Sequence, residues 1–324
     1  MSQAVEKITL HDYQPQLASF RQEVLAGLAM PRKQFPPTFL FYDKRGSDLF
    51  IDICSTSEYY VTRTEVKILQ QNNAEIAEYI GDRALLIEYG SGSSPKIHAL
   101  LDALHAPVAY MPIDIEKAHL LDAAEKISHK YPNLDVVAIV ADYTKQLHLP
   151  QIEGAHQKVV FFAGGTIGNL NPKQAIALLS QARQLVAPAG GMLVGVDLKK
   201  DPNRLHAAYN DAQGITAEFN LNILANINRE LNANFDLDCF SHYAFYNPTE
   251  GRIEMHLVSL KAQTVIVAGQ EFAFKAGESI HTENSYKYSL DDFKYVAQAA
   301  GFTLRKTWLD QNRLFSVHYL SASD

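Results

Sequence analysis

The clearest ligand-holding pattern in the chain is Glu88-Tyr89-Gly90-Ser91-Gly92-Ser93-Ser94-Pro95-Lys96. Gly90 and Gly92 let the backbone turn sharply and approach a ligand with no Cβ in the way. Pro95 suits a first helical turn, where no N–H is needed. The loop follows an apolar run, Ala84 to Tyr89, and open α/β sheets bind ligands at the carboxyl ends of their strands. Two more acids stand at comparable places, Asp114 in Ile113-Asp114-Ile115-Glu116 and Asp142 in Ala141-Asp142-Tyr143. A carboxylate about 20 residues past such a loop can accept hydrogen bonds from both hydroxyls of a ribose. One after the next strand can accept from the exocyclic amine of adenine. The third position of a G-x-G-x-x-G fingerprint is here Pro95, which disfavours a pyrophosphate cradle. Gly90, Asp114 and Asp142 thus outline a nucleoside site, and Lys96 either reaches a carboxylate of that ligand or is a solvated lysine.

The elements that must position these residues alternate short apolar runs with amphipathic stretches between about Ala84 and Leu198, which is how a parallel sheet with crossover helices reads. Strands are expected at Ala84–Tyr89, Val108–Ile113, Val136–Val140, Val159–Ala163 and Met192–Val196, with a helix from Pro172 to Val186. After Asp197 come a polar helical stretch, Asn203 to Leu231, and antiparallel candidates Phe240–Tyr246, Ile253–Leu260 and Thr264–Val267. A helix from Leu290 to Ala300, closed by Gly301, then leads to the hairpin of Phe302–Leu304 and Phe315–Tyr319.

Five parallel strands, a helix and a terminal hairpin resemble the Rossmann-like seven-stranded sheet of class I S-adenosylmethionine-dependent methyltransferases. The chain's 324 residues exceed that sheet, and Met1 to about Arg63 and the insertion after Asp197 are surplus to it. They read as a second, discontinuous α+β substrate-binding domain, 8–63 with 199–287, beside a methyltransferase domain of 64–198 with 288–324. S-adenosylmethionine fits the three acids better than NAD, so an NAD-dependent oxidoreductase or a non-catalytic nucleotide-binding module is the rival class.

Composition removes other classes. With 29 basic and 36 acidic residues the charge of −7 has the wrong sign for holding nucleic acid or an anionic membrane. No apolar run approaches the roughly 20 residues of a membrane span, and the first residues lack the basic and apolar stretches of a secretory signal. A cytoplasmic monomer is expected. The two cysteines make no disulfide framework, and the 12 histidines include no ligand spacing, so no metal is implied and His242 and His256 read as structural. Tyr243, Phe245 and Tyr246 read as sheet packing, and Lys199-Lys200-Asp201 as a solvated loop.

The fourth strand runs into Gly164-Gly165-Thr166-Ile167-Gly168-Asn169, and here a specific resemblance emerges. Further matching stretches are Phe41-Tyr42-Asp43, Gly46–Phe50, Glu58-Tyr59-Tyr60, Thr62-Arg63-Thr64-Glu65, Tyr209-Asn210-Asp211, Phe219–Asn222 and Thr282-Glu283-Asn284-Ser285. Together they resemble the histidine-specific Nα-methyltransferases of ergothioneine biosynthesis, the dimethylhistidine N-methyltransferase family. These make trimethylhistidine (hercynine). Val61 departs from a common proline and Gly165 from a common serine.

The resemblance implies that Gly90, Lys96, Asp114, Asp142 and Tyr143 contact the methyl donor. It implies that Tyr59, Asn169 and Tyr209 hold the amino and carboxylate groups of L-histidine, with Tyr42 assisting. Asn169 and Tyr42 become the candidate catalytic residues. Glu283 and Ser285 would address the two imidazole nitrogens, with Met255 lining the pocket. Two residues apart on an extended segment, their side chains point to one face, although Glu-x-Ser alone is a common surface pattern. The implied reaction is successive methyl transfer to the α-amine, the alternative substrate being another amino acid or small amine.

Overall fold

The computed structural model describes residues 8–13, 18–35, 43–91 and 95–323. Tyr42 and the loop residues Gly92 to Ser94 lie outside the described residues. In chain order the strands are β1 (Ile8–Asp12), β2 (Ala84–Tyr89), β3 (Ala109–Asp114), β4 (Asp135–Val140), β5 (Gln157–Phe162) and β6 (Gly191–Asp197), then β7 (Phe240–Asn247), β8 (Arg252–Ser259), β9 (Gln263–Val267), β10 (Gln270–Phe274) and β11 (Ser279–Tyr286), and finally β12 (Thr303–Leu309) and β13 (Phe315–Ser321). Helices α1 (Ala18–Leu28), α2 (Lys44–Ser55), α3 (Val61–Gln71) and α4 (Asn73–Ile80) precede β2. Helices α5 (Pro95–Leu101), α6 (Lys117–Lys130) and α7 (Pro172–Val186) link parallel strands, while α8 (Pro202–Tyr209) and α9 (Ile215–Leu231) lie in the insertion and α10 (Leu290–Ala299) precedes the last hairpin.

The main sheet runs β1-β4-β3-β2-β5-β6-β13-β12. Strand β13 is antiparallel to β6 and β12, and the remaining pairs are parallel. Seven strands are those expected. The eighth corrects the reading of Met1 to Arg63 as wholly surplus to the sheet: Ile8 to Asp12 pair in register with Val136 to Val140, capping the β4 edge that would otherwise present unpaired amides. Strand β2 is buried along its whole length. Leu85, Ile87 and Tyr89 pack with α7 and α10 residues on one face while Ala84 and Leu86 pack with α3 and α5 residues on the other, as a central parallel strand covered on both sides must. Helix α7 opens with a capping box between Asn171 and Gln174 and with Pro172 in its first turn.

Strand order reverses at β2, which has β3 on one side and β5 on the other. The turns that follow β2 and β5, at Gly90 and at Gly164-Gly165, therefore sit at the topological switch point, where open α/β sheets leave a crevice. The insertion leaves after β6 and returns beside it, because Tyr288 N–H donates to Asp197 O at 3.0 Å and Lys199 N–H to Tyr288 O at 2.9 Å. That stitch runs β11, within the antiparallel sheet β11-β8-β7, along the carboxyl end of the main sheet. The closest approach is at Gly168, where a Cβ would lie 2.6 Å from Tyr286 O. Helices α2 and α9, from the two surplus pieces, pack together through Phe50 and Phe219 at 6.3 Å between ring centroids.

Candidate active site

A cleft of about 240 Å³ opens at the switch point and is lined by Glu88, Gly90, Lys96, Asp114, Glu116, His119, Asp142, Tyr143 and Gly164, among others. All five donor-contact expectations therefore fall in one place. Asp114 accepts from Glu116 N–H at 3.0 Å, and burial pushes its carboxyl up to about 6. Asp142 accepts the N–H and hydroxyl of Thr144 at 2.9 and 2.6 Å, which fixes its rotamer at the end of β4. Tyr143 stacks on Tyr89 with centroids 5.3 Å apart and planes 12° from parallel. Glu88 is fully buried, receives the Tyr110 hydroxyl and is raised by burial to about 8. Ser91 Oγ is buried with no partner.

Lys96 is not a solvated lysine. It is buried and pairs with Glu65 of α3 at 2.9 Å. The same Glu65 oxygen accepts Gly164 N–H at 2.8 Å, while Oε1 has no partner. Gly195 makes the room, since a Cβ there would stand 2.0 Å from that Oε1.

A smaller pocket of about 60 Å³ lies deeper, and Phe50, Gly164 and Thr166 line both. Its walls include Tyr59, Asn169, Tyr209, Met255, Glu283 and Ser285, so every substrate-contact expectation among the described residues converges here. Tyr59 precedes α3, Asn169 ends a 3-10 turn at Thr166–Asn169, Tyr209 ends α8, Met255 lies on β8 and Glu283 and Ser285 on β11. Burial raises the Glu283 carboxyl to about 7 despite the pull of Lys287. The Tyr59 and Tyr209 rings meet edge to face at 6.3 Å.

The sequence reading missed the charged floor of this pocket. Lys287 Nζ donates to Asp197 Oδ2 at 2.7 Å, to Ser285 Oγ at 2.7 Å and to the Tyr209 hydroxyl at 3.0 Å. Lys200, expected in a solvated loop, is instead buried and 2.6 Å from Asp197, and the Tyr60 hydroxyl donates to both Asp197 oxygens at 2.9 Å. Burial opposes every charge here. Even so, Lys287 and Lys200 hold Asp197 below the ordinary carboxylate value, and Asp197 holds Lys287 above the ordinary lysine value. Lys200, desolvated and facing Lys287, falls to about 8. The available signal was alternation: Glu283 and Ser285 are same-face positions of β11, and Lys287, one residue past its end, continues the two-residue spacing.

The expected sheet packing of Tyr243 and Phe245 takes the form of a stack: Tyr243, 55% exposed, stacks on Phe245, which stacks on His256 of the neighbouring β8. His256 and His281 stack with planes 11° apart, and with Glu254 place their ligand-type atoms within 4.8 Å of one another. His256 is already bonded to Ser279 and Glu254, as a structural histidine. His242 joins the Tyr209 carbonyl to Asn220, a structural bridge.

A sheet of this order, with a nucleoside-type cleft at its switch point, defines a class I S-adenosylmethionine-dependent methyltransferase. The family model "Histidine-specific methyltransferase, SAM-dependent" matches residues 20–322, and the chain belongs to that family. It is 42% identical to the histidine N-alpha-methyltransferase of Mycolicibacterium smegmatis, over 90% of this chain and 91% of that protein. The protein of the same name from Mycobacterium tuberculosis is 38% identical, over 90% of this chain and 92% of that one. Ergothioneine biosynthesis protein 1 of Neurospora crassa is 30% identical over 89% of this chain but only 33% of its own length. A solved structure, a possible exported protein from Bordetella parapertussis, aligns at 10% identity with a TM-score of 0.52 over 95% of this chain and 96% of that one, which shows the fold alone. The cleft fits the family's methyl donor: burial raises the carboxyls of Asp114 and Glu88, which therefore gain from hydroxyl partners, and Asp142 stands beside them at the end of the neighbouring strand. Among the described residues no helix is long and apolar enough to cross a membrane.

Proposed function

We propose that the protein methylates the α-amine of L-histidine three times in succession, giving Nα,Nα,Nα-trimethylhistidine. The observation that carries this is the convergence of Tyr59, Asn169, Tyr209, Met255, Glu283 and Ser285, from five separate elements, on one pocket that joins the donor cleft at Phe50, Gly164 and Thr166. Glu283 and Ser285 give one carboxylate and one hydroxyl to a ring with two nitrogens. Met255 closes the pocket, and Tyr59, Asn169 and Tyr209 surround the main-chain groups. The names of the mycobacterial and fungal relatives support histidine and the ergothioneine route.

S-adenosylmethionine supplies an electrophilic methyl group on a sulfonium. Asp114 would hold its ribose, Asp142 and Tyr143 its adenine, and Gly90 and Ser91 its backbone-facing edge. Lys96 is committed to Glu65, so its part is to fix the Gly164 turn rather than to extend freely toward the donor. The protein's remaining work is positioning: the amine must be neutral and aligned with the bond that breaks. Asn169 offers donor and acceptor atoms for that. The faces of Tyr59 and Tyr209 suit an amine that gains permanent charge, through cation–π attraction of roughly 0.5 to 2 kcal/mol.

The test is mass spectrometry of products from L-histidine and S-adenosylmethionine. Trimethylhistidine is expected, and accumulation of monomethylhistidine alone would overturn the successive-transfer reading. Calorimetric titration of histidine against other amino acids, with S-adenosylhomocysteine present, checks the substrate; equal affinities would favour a broader amino-acid methyltransferase.

A further inference from the structure

The polar hydrogens at the floor of the amino-acid pocket can be counted, and one is left over. Lys287 has three N–H donors and no acceptor, and all three are taken, by Asp197, Ser285 and Tyr209. Ser285 Oγ and the Tyr209 oxygen thus both accept from the same ammonium. They also bond to each other at 2.8 Å, with Tyr209 donating to Ser285. Ser285 Oγ therefore accepts twice, which fills its lone pairs. Its own O–H has no acceptor among the described residues, and Ser285 lines the pocket. Lys287 cannot relax this arrangement by turning elsewhere, because it is buried and Asp197 anchors it.

We infer that Lys287 is a positioning residue that makes Ser285 an obligatory hydrogen-bond donor, so that the pocket selects a ring presenting one N–H to Glu283 and one lone-pair nitrogen to Ser285. That is neutral imidazole in a single tautomer. The inference rests on the reading of Glu283 and Ser285 as the imidazole contacts and goes beyond it by fixing the direction of each bond. A ring with C–H in place of the lone-pair nitrogen leaves the Ser285 hydroxyl unpaired, which loses roughly 10- to 100-fold in affinity.

The experiment compares L-histidine with 3-(pyrrol-2-yl)alanine and 3-(pyrrol-3-yl)alanine. Each keeps one N–H and replaces the other nitrogen with C–H, so the pair covers both orientations. Dissociation constants are measured calorimetrically with S-adenosylhomocysteine present, for wild type, Ser285→Ala, Lys287→Met and Tyr209→Phe. Wild type should favour histidine over the better pyrrole roughly 10-fold or more. The ratio should approach one in Ser285→Ala and Lys287→Met. It should stay at the wild-type value in Tyr209→Phe, because Lys287 still donates to Ser285 and the Ser285 O–H still finds no acceptor. Unchanged S-adenosylhomocysteine affinity reports an intact fold; should Lys287→Met fail that control, Lys287→Gln, whose amide oxygen can accept the Ser285 O–H, decides. A wild-type ratio near one overturns the inference, as does a ratio that stays at the wild-type value in the folded Lys287 variant. A wild type that neither binds nor methylates histidine would instead overturn the substrate reading itself.

Discussion

The proposed donor cleft and the proposed amino-acid pocket share three wall residues, Phe50, Gly164 and Thr166, yet are built by different rules. The cleft's acids each follow a parallel strand: Glu88 in β2, Asp114 at the end of β3 and Asp142 just past β4. Sheet topology alone brings them together at the switch point. The deeper pocket gathers side chains from the α2–α3 connection, a 3-10 turn, α8, β8 and β11, and its floor is an ion cluster spanning Asp197, Lys200 and Lys287. The first is generic to the fold. The second draws about half of its wall from the insertion, where, on the proposed reading, a few side chains can change the substrate without disturbing the donor.

The sharpest test of that separation is a pair of variants. On the proposed reading Asp114→Ala removes the acceptor for two ribose hydroxyls, each bond to a charged group being worth about 1.5 to 3 kcal/mol, so S-adenosylhomocysteine affinity should fall by about 100-fold or more. In wild type that affinity should also decline as pH drops through about 6, where Asp114 takes up a proton, and the variant should lack this dependence. Glu283→Ala should cut kcat/KM for histidine by roughly 10- to 100-fold and leave the donor constant unchanged. Isothermal titration for the donor and initial rates for histidine read both. Crossed effects, with Asp114→Ala altering the preference among amino acids, would collapse the two regions into one.

The two regions also differed in how far they could be read from residues alone. Short apolar runs alternating with amphipathic stretches located every parallel strand from β2 onward, and acids at strand ends located the cleft. Strand β1 was missed because Ile-Thr-Leu-His-Asp is short, half exposed and polar at alternate positions, and its partner, β4, is remote in sequence. In the deeper pocket, Tyr59, Asn169, Glu283 and Ser285 were reached by resemblance, since nothing local in Glu-x-Ser distinguishes a pocket wall from a surface strand. Lys200 and Lys287 were not reached at all. A lysine in a polar stretch reads as solvated, and only the fold shows that Asp197, Tyr60 and Tyr209 surround these two.

Glu65 is where the separation should fail. It pairs with Lys96 on the donor side and holds Gly164 N–H, and Gly164 lines both pockets. Glu65→Gln keeps the shape but turns the Gly164 N–H bond from charge-assisted to neutral and deprives the buried Lys96 ammonium of the Glu65 counter-charge, a loss of about 1 kcal/mol or more. A rise of roughly 3- to 10-fold in KM for the donor should accompany a similar fall in kcat with histidine saturating. A change in donor KM alone would confine Glu65 to the cleft.

The smallest effect concerns stability and comes from Glu283. Its carboxyl is raised from 4.5 to about 7 by burial. Between those values the folded chain keeps a proton that the unfolded chain has released, so this group's contribution to stability declines as pH rises from about 4.5 to about 7 and is lowest above that. Glu88 and Asp114 act in the same direction, over windows ending near 8 and 6. Glu283→Gln abolishes only its own share. Without ligands the variant should melt higher than wild type at pH 8, by roughly 2 to 4 °C for each kcal/mol recovered, and the gap should close by pH 4. Saturating histidine should reverse the order at pH 8, because the wild-type carboxylate gains a ring N–H that the amide accepts less well. Differential scanning fluorimetry across pH, with and without histidine, measures this. A wild type that is already the more stable form at pH 8 without ligand would mean that Lys287 fully offsets the desolvation of Glu283, leaving the deeper pocket as relaxed as the cleft is not.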